Sequence, residues 1–159
     1  MSFPERVYTA KEHKAAKALV DKGYKHTVTV EGDVGFKEKV NQTLKLIETA
    51  GFTDFFRTYI RKIMEIDGLT QLRETEVAIW ANKFAVENPV DAASLFIQKA
   101  YTMKEYLDGE LYYGGAAEKR SVEKRIEFLK TLKEKSKLKI VQEECLRLLD
   151  MWDSSSTAF

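Results

Sequence analysis

Asn88-Pro89-Val90-Asp91-Ala92-Ala93-Ser94-Leu95-Phe96-Ile97-Gln98-Lys99-Ala100-Tyr101-Thr102-Met103-Lys104-Glu105-Tyr106-Leu107-Asp108-Gly109 is a helix with both ends written into the chain. Asn88 can cap the first turn. Pro89 suits the first helical position, where its missing N–H costs nothing, and Gly109 supplies the left-handed residue on which helices commonly stop. Ala93, Phe96, Ile97, Ala100, Met103 and Leu107 recur at helical spacing, so one side seeks a core. Asp91, Gln98, Thr102 and Glu105 fall together on another side, and that polar strip is where a site on this helix has to lie.

Toward the N-terminus, Thr9 can cap a first helix from Ala10 to Lys22 that stops at Gly23, with Ala15, Ala16, Ala18, Leu19 and Val20 as its apolar side. His13, set among Lys11, Glu12 and Lys14, reads as a solvated surface residue. Lys25 to Glu31 is β-branched and ends in Gly32-Asp33, a strand that His26 would begin. Phe36, Val40, Leu44, Ile47 and Ala50, followed by Gly51, define an amphipathic helix. Thr53 to Ile66 carries both a helical pattern and a strand-like alternation, and the helical one is favoured. Asp67-Gly68 is a turn signal, Leu69 to Glu76 reads as a loop or irregular edge strand, and Val77 to Lys83 as a strand by its Val, Ile and Trp or a helical turn by its alanines, the strand being favoured.

Beyond Gly109, Glu110 to Gly115 is an aromatic connector, with Tyr112 and Tyr113 placed to pack across a helix end. Ala116 to Lys135 is a charged helix with Val122, Ile126, Leu129 and Leu132 inward, and Leu138 to Trp152 a final one presenting Ile140, Val141, Leu146, Leu148, Leu149 and Trp152. Residues 154–159 read as a disordered tail. The expectation is one domain over 1–159, mainly α (α+β), with five or six helices and a small β element of two or three strands.

Composition narrows the function classes. The chain has 159 residues, 44% of them hydrophobic, and 9 Phe, 7 Tyr and 2 Trp, so it can bury a real core. Its net charge of +1 gives no global field toward nucleic acid or anionic membrane. From Glu118 to Lys139, however, nine Lys or Arg stand against four Glu, which makes the basic helix 116–139 a nucleic-acid candidate, although a solvated face is favoured. No apolar run approaches the ~20 residues that cross a bilayer, and the first residues lack the apolar stretch of a signal peptide. The single Cys145 leaves no internal disulfide and reads as a buried inert thiol; a cytoplasmic location is expected.

Residues 77–128 resemble the helix region of the His-Glu-x-x-His zinc metallopeptidases, with Val77 to Asn82 as an edge strand, Asn88 to Ala93 as the helix entry and Glu118 as a downstream carboxylate ligand. Gln98, Lys99 and Thr102 stand where that motif has His, Glu and His. Amide and hydroxyl groups are poor zinc ligands, and a lysine replaces the general base. The resemblance therefore implies an inactive relative that keeps a scaffold and a binding surface. The expected function is a non-enzymatic binding module, using Gln98, Lys99, Thr102, Glu105, Tyr112, Tyr113 and Glu118 toward a protein partner or a second copy, with no cofactor. Exposed aromatics at Phe52, Phe55, Phe56, Tyr112 and Tyr113 would favour such association. The alternative is a metal-dependent hydrolase or nuclease gathering Glu74, Glu76, Glu87 and Asp91 around Mg²⁺ beside Lys99.

Overall fold

A computed structural model describes residues 10–20 and 27–156. Its helices are α1 (Ala10–Val20), α2 (Val34–Thr49), α3 (Thr53–Tyr59), α4 (Pro89–Leu107), α5 (Gly115–Lys135) and α6 (Lys139–Ser156), and its strands β1 (Thr29–Glu31), β2 (Lys62–Ile66), β3 (Gln71–Arg73) and β4 (Ala78–Asn82). The fold is mainly α, with six helices among the described residues and a sheet of four strands, one more than expected. Thr9, Lys22, Gly23, Lys25 and His26, to which the sequence assigns a cap, a helix end and a strand start, lie outside the described residues.

Helix α4 forms as its punctuation requires. The Asn88 carboxamide oxygen accepts from the backbone N–H of Val90 (3.1 Å) and Asp91 (3.3 Å), and Gly109 takes φ +77 just past the last turn. The expected apolar residues Ala93, Phe96, Ile97, Ala100 and Met103 are fully buried. Helices α2, α3 and α5 surround α4, and α6 packs on α5. Phe56 of α3 stacks on Phe96 at 6.0 Å, and Phe52 meets Phe128 of α5 edge-on at 5.3 Å. Phe56 is thus core, while Phe52, Phe55, Tyr112 and Tyr113 are only half-exposed, so the expected aromatic surface patch does not exist.

The sheet order is β1-β2-β4-β3, with β1, β2 and β4 parallel and β3 antiparallel to β4. This corrects two expectations. Thr53 to Ile66 is half helix and half strand: Phe55, Phe56 and Tyr59 belong to one turn of α3, Ile60 turns extended, and the Arg61 N–H donates to Val77 O at 2.7 Å to begin the sheet ladder. Both periodicities in that segment were real, one for each half. The strand at Ala78–Asn82 is interior, not an edge. Ala78, Ile79 and Ala81 are buried on it, and the edge position falls to Gln71–Arg73. Val77, at φ +53, is the non-glycine residue of positive φ among the described residues; it turns the chain from the 3-10 turn Glu74–Glu76 into β4 at a cost of about 1 kcal/mol.

Helix α6 departs from its expected face. Val141, Cys145 and Leu148 are buried and Trp152 half-buried, a spacing of four, three and four, whereas Ile140 is 75% and Leu146 52% exposed because they lie off that stripe. Its backbone stays helical through Ser156, past the residue at which the tail was expected to begin. His13 is also not fully solvated. Its Nε2 lies 3.3 Å from the Tyr106 carbonyl oxygen, so the ring donates there, and it meets the Tyr106 ring edge-on at 5.0 Å.

Asn88 caps α4 and also donates through Nδ2 to Glu144 of α6 at 2.7 Å. Asn88→Ala is therefore expected to lower unfolding free energy in denaturant titration by about 1–2 kcal/mol. Asn88→Ser, which restores a capping oxygen but cannot reach Glu144, should lose less.

Candidate functional site at the seam of two helices

The polar side of α4 turns toward α5 at Ser94, Gln98 and Glu105, while the Asp91 side chain keeps 41% of its exposure. Asp91, Ser94 and Gln98 follow one another at three and four residues, so they line one side of the helix, and a single side chain of α5 engages all three. The Arg125 guanidinium donates from Nη2 to Asp91 Oδ1 at 2.6 Å, from Nε to Ser94 Oγ at 2.8 Å and from Nη1 to Gln98 Oε1 at 3.0 Å. Arg125 is 7% exposed, and the Trp152 ring of α6 covers it at 4.7 Å. Burial pushes its pKa below the usual arginine value, and Asp91 opposes that shift. The group stays cationic at neutral pH, because an arginine titrates far above it.

The remaining polar atoms close the network. Gln98 Nε2 donates to Ser121 Oγ at 3.0 Å, whose hydroxyl donates to Glu118 O at 2.8 Å, and the Ser94 hydroxyl donates to Asp91 O at 2.8 Å. Thr102 Oγ1 donates back to Gln98 O at 3.1 Å, the usual refuge of a mid-helix threonine. One turn further along, Glu105 is buried and accepts from Arg120 Nε at 2.8 Å, while Arg120 Nη2 reaches Leu111 O at 2.9 Å and so fastens the connector. That bond to Glu105 raises the Arg120 pKa. Tyr112 packs edge-on against Tyr106 at 5.1 Å and Tyr113 against Tyr112 at 5.3 Å, so the connector does cross the end of α4.

Of the sequence-derived candidates, Gln98 and Glu105 thus bond to α5, while Thr102 bonds within α4. Lys99 is half-buried, the Glu118 side chain is exposed, and Tyr112 and Tyr113 form a separate aromatic group at the helix end. Arg125, Ser94, Ser121 and Trp152 were not anticipated. The signal for Arg125 was present: it sits three residues after Val122 and four before Leu129, in register with the buried stripe of α5, where an unpaired charge cannot remain. The carboxylates proposed for a metal disperse. Asp91 faces Arg125, Glu76 lies 3.6 Å from Arg73, and among the described residues no three His, Cys, Asp or Glu side chains gather as a metal site would need. On the basic helix, Arg120, Lys124 and Arg125 are paired with carboxylates, as is Lys139 at the start of α6, which spends much of the positive excess. No helix among the described residues is long and apolar enough to cross a membrane.

Comparison of the chain with protein-family models, with curated proteins and with solved structures returns no significant match.

Arg125→Ala is expected to cost about 2–3 kcal/mol in denaturant unfolding, discounted because the Asp91 side chain keeps 41% of its exposure, and Arg125→Lys should recover little, since one ammonium cannot span three acceptors. Burial pushes the Cys145 thiol from its usual 9.0 up to about 11. The unfolded chain therefore releases that proton first, and stability present below pH 9.0 is lost as pH rises toward about 11. Alkaline unfolding curves should show this loss in the native sequence and less of it in Cys145→Ala, and at pH 8 a thiol reagent should modify Cys145 only after unfolding.

Proposed function

We infer that this chain is a non-enzymatic protein-binding domain, an inactive relative of the zinc metallopeptidases whose motif helix has been given over to scaffolding. The observation that carries the reading is the placement of the Arg125 guanidinium against Asp91, Ser94 and Gln98. Each of these groups has an oxygen on the same fixed cation, and Gln98 spends its amide nitrogen on Ser121 as well. A divalent ion drawn to these oxygens would have to displace or approach a buried positive charge, which in a low-dielectric setting is strongly unfavourable. Thr102 offers only a hydroxyl already committed to its own helix. The same bonds that leave this strip unsuited to hold a metal make it well suited to hold α5 and α6 in place, so binding falls to other surfaces of the domain.

Thermal melting with Zn²⁺, Mg²⁺ or Mn²⁺ tests this. A metal that binds the folded state at a hundred times its dissociation constant adds about 2.7 kcal/mol of stability, a readily measured shift. No shift is expected, nor any hydrolysis of casein or of plasmid DNA. A stabilisation by one metal that Asp91→Asn or Gln98→Ala removes would overturn the reading.

A further inference from the structure

Between α2, the start of α4 and the start of α6 runs an apolar groove of about 670 Å³. Leu46, Pro89, Val90, Leu138, Ile140 and Val141 line it, Leu138 and Ile140 projecting at its rim, 62% and 75% exposed. Large aliphatic side chains so exposed beside an apolar groove are costly in water unless something covers them. Three charged residues border the same groove, Lys45 on α2, Glu87 before α4 and Glu144 on α6, and neither Lys45 nor Glu87 has a side-chain ion pair among the described residues. The neighbouring Glu144 is already held by Arg147 and Asn88.

We propose that this face is a two-fold interface through which the chain forms a homodimer, the Leu138 and Ile140 pair of each copy seated in the groove of the other and Lys45 of each copy meeting Glu87 of its mate. An isologous contact requires one patch to be complementary to itself. This patch satisfies that requirement in shape, since a projecting pair stands at the rim of a recess, and in charge, since Lys45 and Glu87 have opposite signs and no ion pair among the described residues. With Glu144 paired to Arg147, the groove keeps one charge of each sign unpaired among the described residues, which favours neither an acidic nor a basic partner, and a chain of net charge +1 adds no field of its own. The occupant that fits is neutral overall, with two adjacent aliphatic side chains between opposite charges, and the chain itself presents that surface. The dimer rests on residues separate from the α4–α5 seam, so it stands or falls independently of the non-catalytic reading.

Sedimentation velocity on the full chain, from about 1 µM to about 100 µM, should show a concentration-dependent dimer. Ile140→Glu should weaken it about tenfold or more while the far-ultraviolet circular dichroism spectrum stays that of the native chain, since the side chain is exposed. Lys45→Glu and Glu87→Lys should each weaken self-association, and an equimolar mixture of the two should recover dimers, because only the mixed pair then sets opposite charges against each other at both contacts. A native chain that remains monomeric at the highest concentration overturns the proposal. So does a dimer indifferent to Ile140→Glu, or a mixture that recovers nothing.

Discussion

A single guanidinium holds the helical half of this domain in register. Arg125 reads three positions on α4, at Asp91, Ser94 and Gln98, and is roofed by Trp152 of α6. Three bonds of different direction fix both the rotation of α5 and its slide along α4, which apolar contact alone leaves loosely specified because dispersion and burial are non-directional. The cost is the desolvation of a cation, offset only because every acceptor is in place. Such a constellation contributes less to net stability than to the choice of one packing over its near neighbours. The second ion pair, Glu105 with Arg120, performs the same task at the other end of α4, where it also anchors the connector through Leu111. Between them the two arginines set the helix pair at both ends.

The elements with local punctuation were the legible ones. Asn88, Pro89 and Gly109 define α4 because caps and stops act through their immediate neighbours, and the alternative readings of Leu69 to Lys83 resolve as β3 and β4. Thr53 to Ile66 was not legible, because seven residues of helix leading directly into five of strand leave each pattern too short to prevail over the other. In α6, counting apolar residues hid the distinction between a face and an excess: Ile140 and Val141 are adjacent, so they point about 100° apart and cannot both turn inward.

The site was legible in one half only. Periodicity placed Gln98, Thr102 and Glu105 on a common side of α4; Gln98 and Glu105 bond to α5, whereas the Thr102 hydroxyl bonds back to its own helix. What periodicity cannot supply is the partner helix, so a strip that looked available is largely taken up by α5. The same holds for His13, whose charged neighbours in sequence suggested water and whose ring instead meets Tyr106, 93 positions away. Contacts of that separation are set by the fold as a whole and leave no mark in the local composition.

The position of β4 between β2 and β3 has a consequence for how the sheet is assembled. In sequence β2 and β3 both precede β4, and they are not bonded to each other in the sheet. Only when Ala78–Asn82 follows does one segment pair with both, parallel to the first and antiparallel to the second. The last strand in sequence thus occupies an interior place in the sheet. In the sheet β2 and β3 stand one strand's width apart, and the residues that fill that space, Ala78, Ile79 and Ala81, are also buried in the core. Closing the sheet and burying its interior are one event, delivered by five consecutive residues.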